Sequence, residues 1–71
     1  MNVKVGDVYE MKTGEVVRVE SIKDGLISMK VIKGYTKKVI PKSKGELFIE
    51  GDENYVEGFF RVAGAKKLEQ W

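Results

Sequence analysis

An Asp-Gly pair between two β-branched segments is the feature that most restricts the fold of this chain. Residues 15–23 and 26–33 are both rich in valine and isoleucine, and only Asp24-Gly25 separates them. A two-residue loop of this composition favours a type I′ turn, because both of its residues must adopt positive φ angles. Apolar and polar residues alternate through 26–33, as in a strand with one buried face. The sequence therefore predicts a β-hairpin here.

Short turns divide the rest of the first half into similar segments. A β-prone run at residues 7–11 precedes a turn at 12–14, and another short strand at 36–40 follows a turn at 33–35. Pro41 ends that last run, because proline cannot donate a hydrogen bond to a central strand. Four short strands joined by turns of two or three residues indicate an antiparallel meander. A meander this short commonly closes into a small barrel.

The sequence beyond Pro41 fits two structures, of which the first is a short helix. Ser43 and Glu46 have the S-x-x-E spacing of a capping box, in which each side chain bonds a backbone N–H of the first helical turn. The apolar residues at 47–49 would then begin the helix. Gly51 would end it, because glycine is common immediately after helices.

The second structure is a hairpin, and it is the interpretation that we favour. Its strands would be residues 47–50 and 55–63, joined by a loop at residues 51–54. The later segment is aromatic and β-branched, a composition typical of strands. Gly58 inside it would mark a bulge or a sharp bend. Residues 65–71 would then form a single helical turn or a tail.

Residues 5–40 resemble the small SH3-like β-barrels of the KOW and Tudor type. The resemblance rests on Val5-Gly6-Asp7-Val8 followed by three strands that hairpins join. It implies a single small all-β or mostly β domain over residues 1–71, an antiparallel SH3-like barrel of five or six strands with at most one short helical turn. Members of these groups often bind RNA, ribosomal or transcription partners, or peptides. No Tudor-type aromatic cage is identifiable here, so the fold alone does not select the partner.

The composition argues against catalysis. The chain of 71 residues has no cysteine and no histidine, so disulfides, the commonest zinc ligands and Ser-His or Cys-His nucleophiles are all excluded. Glycine-rich phosphate-binding loops are also absent from the sequence. Four acids lie close together in the sequence, and they are Glu50, Asp52, Glu53 and Glu57. We interpret this acidic cluster as a solvated turn. We therefore expect a non-enzymatic protein with no cofactor and no metal.

The sequence also bears on location. No apolar run approaches the roughly 18–20 residues of a membrane span, and the first residues lack the apolar core of a signal peptide. We therefore expect a cytoplasmic protein that does not bind a membrane. Eleven of the thirteen bases are lysine and eight of the eleven acids are glutamate, a bias found in hyperthermophiles. A thermophilic source is therefore an additional expectation.

Charge is strongly segregated in the middle of the chain. Residues 30–45 carry six lysines and no acid, whereas residues 46–57 carry five acids and no base, although the net charge is only +2. Several ammonium groups on one hairpin would neutralise phosphates, and a tyrosine at its tip would stack on a base. The sequence therefore predicts nucleic-acid binding through Lys30, Lys33, Tyr35, Lys37, Lys38, Lys42 and Lys44. Four further bases would extend this surface if the fold brings them close: Arg18, Arg61, Lys66 and Lys67.

Two alternatives to nucleic-acid binding stay open. The lysines of a small β domain can serve only to protect its edges and keep it in solution. The aromatic residues suggest instead a protein-interaction surface or a homodimer interface, formed by Phe48, Phe59, Phe60 and Trp71. In a symmetric dimer, the basic surface of one chain would meet the acidic surface of the other.

Overall fold

The computed structural model describes residues 2–34 and 48–69, which form one antiparallel sheet and one helix. In chain order the elements are β1 (Val8–Glu10), β2 (Val16–Lys23), β3 (Leu26–Lys33), β4 (Phe48–Gly51), α1 (Glu53–Ala63) and β5 (Lys66–Leu68). The strands lie in the order β4-β3-β2-β1-β5. Among the described residues the sheet is open, with β4 and β5 at its edges. The prediction of a mostly β, antiparallel protein is thus confirmed.

The central hairpin has the predicted geometry. Asp24 and Gly25 both have positive φ angles, of 52° and 77°, and Lys23 pairs directly with Leu26 across the turn. Two register shifts follow in the β2–β3 ladder, between Val16 and Val17 and between Val19 and Ser21. Such bulges increase the local twist and bend the strand pair. β1, β2 and β3 therefore follow the sequence-based expectation. The strand expected at 36–40 lies outside the described residues.

The prediction for residues 51–63 is wrong. The expected strand at 47–50 is present as β4, so the competing helix ending at Gly51 is also wrong, but the expected loop and second strand are replaced by α1. Asp52 begins the helix, since its Oδ1 accepts a hydrogen bond of 2.8 Å from the backbone N–H of Tyr55. Gly64 ends it in the left-handed conformation that terminates many helices, with φ 65°. Gly58 lies inside the helix and forms no bulge.

The expectation for the end of the chain is also wrong within the described residues. Instead of a helical turn or a tail, Lys66–Leu68 forms β5 and pairs with β1, with Val8 opposite Leu68. The helix prepares this pairing, because the backbone N–H of Lys12 donates to the carbonyl of Ala63 at 2.9 Å. That bond holds the end of α1 beside the end of β1. The chain leaving Gly64 therefore meets the open edge of β1.

The core lies between the sheet and α1. Its buried side chains come from one face of the strands and one side of the helix, and they are Tyr9, Met11, Val17, Val19, Ile27, Met29, Val31, Val56 and Phe60. The backbone of α1 lies nearest to β4 and β3. The rings of Tyr9 and Phe60 lie 4.4 Å apart, which joins the helix to β1 as well. Burial raises the pKa of the Tyr9 hydroxyl, and the nearby Asp7 carboxylate raises it further. Among residues 2–34 and 48–69, no helix covers the other face of the sheet.

Candidate nucleic-acid interface

A row of side chains runs across all five strands on the face of the sheet opposite α1. The register pairs Phe48 with Lys30, Lys30 with Arg18, Arg18 with Val8 and Val8 with Leu68. Directly paired residues point to the same face, with Cβ atoms about 4.5–5.5 Å apart. These five residues are called the transverse row below. It places two cations at the centre of the sheet, between apolar residues at either end.

Arg18 and Lys30 share one carboxylate. The Nε of Arg18 donates to Oε2 of Glu20 at 2.6 Å. This hydrogen bond lowers the pKa of the Glu20 carboxyl, partial burial opposes the shift, and the charges of Arg18 and Lys30 lower it further. The same bond raises the pKa of the Arg18 guanidinium. The Glu20 carboxylate thus lies in the electrostatic field of both cations.

The bond to Glu20 also orients the Arg18 side chain. It uses Nε, so this bond leaves the terminal Nη groups available as donors. The Arg18 side chain is 40% exposed, and that of Glu20 is 31% exposed. A guanidinium held in this way has lost part of its rotamer freedom before a ligand arrives, which lowers the entropic cost of binding.

A surface pocket of about 420 Å³ lies beside Arg18, where the β1–β5 edge meets the turn before β1. Val8 and Leu68 line it together with Arg18, and Lys67 brings a second cation. The Nζ of Lys67 lies 3.6 Å from the carboxylate of Asp7, which also lines the pocket. Small-molecule sites commonly measure about 300–1,000 Å³, so this volume would accommodate a nucleotide-sized group.

The structure positions some of the residues predicted from the sequence. Lys30 lies at the centre of the transverse row, and Lys33 lies exposed at the end of β3, paired with Val16. The other predicted residues lie outside the described part of the chain: Tyr35, Lys37, Lys38, Lys42 and Lys44. They belong to the segment that connects β3 to β4, and their roles stay predictions.

The fold resolves which of the four additional bases extend this surface. Arg18 and Lys67 lie at the pocket, and Lys66 pairs with Glu10 on the neighbouring β1. Arg61 lies on the exposed side of α1, where its Nη2 is 3.3 Å from Glu57. Sequence reasoning missed Val8 and Leu68 altogether. Their only signal was an apolar residue in each of two short segments, and the pairing that joins them spans sixty residues of sequence.

The three aromatic residues of the alternative interface that the structure describes do not form one surface. Phe48 belongs to the transverse row and is 42% exposed, whereas Phe60 is 7% exposed and packs in the core. Phe59 is half-buried on α1, on the opposite side of the sheet from Phe48, with its ring 6.0 Å from that of Phe60. Trp71 lies outside the described residues. Phe48 and Phe59 therefore lie on separate surfaces and Phe60 lies in the core, whereas the part of Trp71 stays a prediction.

The acidic residues that follow β3 in sequence are also dispersed. Glu50 lies on β4, Asp52 caps α1, and Glu57 pairs with Arg61 on the helix surface. Across residues 2–34 and 48–69, no three carboxylates come close enough together to hold a metal ion.

Comparison of the chain with protein-family models, curated proteins and solved structures gives no significant match. In the part of the chain that the structure describes, α1 falls well short of the length and hydropathy of a membrane-spanning helix, and no other helix is present. The functional argument therefore rests on the geometry of the sheet face and the chemistry of its side chains.

Proposed function

We propose that this chain is a non-enzymatic cytoplasmic module that binds single-stranded nucleic acid on the face of the sheet opposite α1. The observation that carries the proposal is the transverse row, in which Lys30 and Arg18 lie between the exposed ring of Phe48 and the pocket at Val8 and Leu68. Cations beside an aromatic ring on an open sheet are the usual composition of a single-strand binding platform.

The chemistry of each group suggests its part in binding. Lys30 and the Nη groups of Arg18 would neutralise neighbouring phosphates, while a base stacks on Phe48. Lys67 pairs with core-facing Tyr9 and so does not belong to the transverse row, but at this edge of the sheet it lines the same pocket, where it supplies a third cation beside Asp7. Glu20 limits the local positive charge while it orients Arg18. This balance favours weak, sequence-tolerant binding over tight recognition.

The segment that connects β3 to β4 extends the same proposal. It contains the four lysines after Tyr35 that the sequence predicts to bind nucleic acid. Gly34 is the last described residue before it, and Phe48 is the first described residue after it. Phe48 begins β4 and Gly34 directly follows β3, and both strands contribute a residue to the transverse row. The closure of the sheet into an SH3-like barrel is part of this proposal as well, and the two bulges that bend the β2–β3 pair support it.

A fluorescence-anisotropy titration with a labelled single-stranded oligonucleotide tests the proposal. Three cations that contact phosphates predict a log–log salt slope of about −2, so raising the salt from about 50 to 200 mM should weaken binding roughly twenty-fold. A duplex of the same length should bind more weakly, because its bases are not free to stack. Absence of binding at the lower salt, or binding that salt leaves unchanged, would contradict the proposal.

Single substitutions then locate the surface. Lys30→Glu should weaken binding at least ten-fold, and Phe48→Ala should lose a stacking contact, commonly worth about 1–3 kcal/mol per base. Arg61→Glu makes the same kind of charge reversal on the exposed side of α1, and it should change the affinity less than about two-fold. Equal losses in Lys30→Glu and Arg61→Glu would show a general effect of net charge. A Lys37→Glu/Lys38→Glu double variant tests the connecting segment separately.

A further inference from the structure

The charge on the sheet face changes sign next to the ring of Phe48. Glu50 follows Phe48 by two residues on β4, and side chains two residues apart in a strand point to the same face. The register agrees, because Phe48 pairs with Lys30 and Glu50 pairs with Ser28. Phe48 and Glu50 are both exposed, and two residues of a strand span about 7 Å. A carboxylate therefore lies beside the exposed ring of Phe48.

Phosphate binding does not account for Glu50. A carboxylate repels phosphates, so its place on this face is unfavourable for the backbone of a nucleic acid. The cations of the transverse row lie on β3 and β2, as Lys30 and Arg18, whereas Phe48 and Glu50 lie on β4, the strand next to β3. A bound strand would thus keep its phosphates over β3 and β2 and direct a base outward over β4. The base that stacks on Phe48 would have one edge close to the Glu50 carboxylate.

The bases differ in what they offer to a carboxylate. An ionised carboxylate only accepts hydrogen bonds, so it attracts N–H donors and repels carbonyl oxygens. Cytosine carries an amine at the position where thymine carries the carbonyl oxygen O4, and the two bases have rings of the same size. Adenine also carries an exocyclic amine. Hydrogen bonds to charged groups are stronger than those between neutral groups, so this difference can select one base over another.

We propose that Glu50 contacts the edge of the base stacked on Phe48 and selects bases that carry an exocyclic amine, cytosine over thymine in particular. This inference rests on the proposed function, because it needs a single strand bound on the transverse row. Glu50 then acts as a specificity residue, which lowers the attraction for phosphates and distinguishes between bases. Phe48 supplies the stacking that all bases share, and Glu50 supplies the difference between them.

Anisotropy titrations at neutral pH with two labelled homopolymers, an octamer of deoxycytidine and an octamer of thymidine, test the preference. In a homopolymer every register places the same base on Phe48, and both octamers have the same number of phosphates. We expect the deoxycytidine octamer to bind about five-fold more tightly, or better. Salt-dependent binding of both octamers with equal affinity would overturn the inference and leave the proposed function intact. If neither octamer binds, the proposed function and this inference are both contradicted.

Two glutamate-to-glutamine variants locate the preference. In Glu50→Gln the side-chain amide both donates and accepts, so the preference for deoxycytidine should fall below about two-fold. Because a negative charge beside the site is lost, the thymidine octamer should bind at least as tightly as it binds the parent. The matched control is Glu57→Gln, which removes the same charge on α1, on the other side of the sheet, and should keep the preference of the parent. A preference that survives in Glu50→Gln, or that both variants lose equally, would refute the role of Glu50.

Discussion

Replacing Phe60 with alanine tests the arrangement on which the whole fold depends, the packing of α1 over the sheet. A phenylalanine side chain buries about 150–250 Å², and at about 25 cal/mol/Å² this corresponds to roughly 5 kcal/mol for a side chain as buried as Phe60. Alanine keeps the Cβ, whereas the 4.4 Å contact with the ring of Tyr9 is lost. We therefore expect Phe60→Ala to lower the free energy of unfolding by about 3–5 kcal/mol, the range found for such substitutions.

That loss is large for a chain of this size. At about 0.05–0.15 kcal/mol per residue, the 71 residues give a total stability of about 4–11 kcal/mol. The variant should therefore be close to its unfolding midpoint in the absence of denaturant. Urea unfolding followed by circular dichroism at 222 nm, at low protein concentration, measures the change. Phe60→Leu retains much of the packing and should cost about 1–2 kcal/mol, which keeps the comparison measurable if the alanine variant does not fold.

Val62→Ala is the control that distinguishes a helix from a strand. In a strand, residues 56, 60 and 62 would share one face and all would be buried. In α1, Val62 is 90% exposed, and alanine is the better helix former. Val62→Ala should therefore change the free energy of unfolding by no more than about 0.5 kcal/mol. If Phe60→Ala and Val62→Ala lower the free energy of unfolding by comparable amounts, the helical assignment of this segment is refuted. If Phe60→Ala lowers it by less than about 1 kcal/mol, the packing of Phe60 between α1 and the sheet is refuted.

Four further outcomes follow from single contacts. Gly25→Ala should cost about 1–2 kcal/mol in urea unfolding, because its φ of 77° is strained for any residue with a Cβ. Asp52→Ala should cost about 1 kcal/mol through loss of the helix cap, and Asp52→Asn should restore most of it. The pKa of Glu20 is lowered from its ordinary 4.5 by the bond from Arg18, so its stabilising contribution is present above pH 4.5 and is lost as the pH falls through the lowered pKa. The acid-induced loss of unfolding free energy should therefore be smaller in Glu20→Gln than in the parent. The pKa of Tyr9 is raised from 10.0, mainly by burial, so its contribution is present below pH 10 and is lost as the pH rises through the raised pKa. Tyr9→Phe should consequently show a flatter alkaline decline in unfolding free energy.

The first half of the fold follows from local chemistry. The turn at Asp24-Gly25 fixes the register of β2 and β3, because a two-residue loop leaves no freedom in how the strands pair. β1 follows from an apolar run bounded by turn residues. The positions of the two bulges in β2–β3 were not predictable, because no glycine or proline marks them and they reflect the packing of the whole sheet.

The error in residues 55–63 has a specific cause. Aromatic and β-branched content was weighed above periodicity, although β-propensity largely reflects packing context. Val56, Phe59, Phe60 and Ala63 have the i, i+3, i+4, i+7 spacing of an amphipathic helix. The adjacent pair at 59–60 would point to both faces of a strand, whereas both rings lie on adjoining sides of a helix. The cap residues Asp52 and Gly64 bracket the segment at the positions where such residues start and stop helices.

The candidate site was only partly predictable for a different reason. Lys30 was identifiable because it belongs to a local run of lysines. Leu68 joins the same row through pairing with Val8, and a contact between segments sixty residues apart leaves no pattern in either of them. β5 itself has only three residues, and it forms because the end of α1 is held beside β1. Tertiary contacts, and not local propensity, therefore define half of the transverse row.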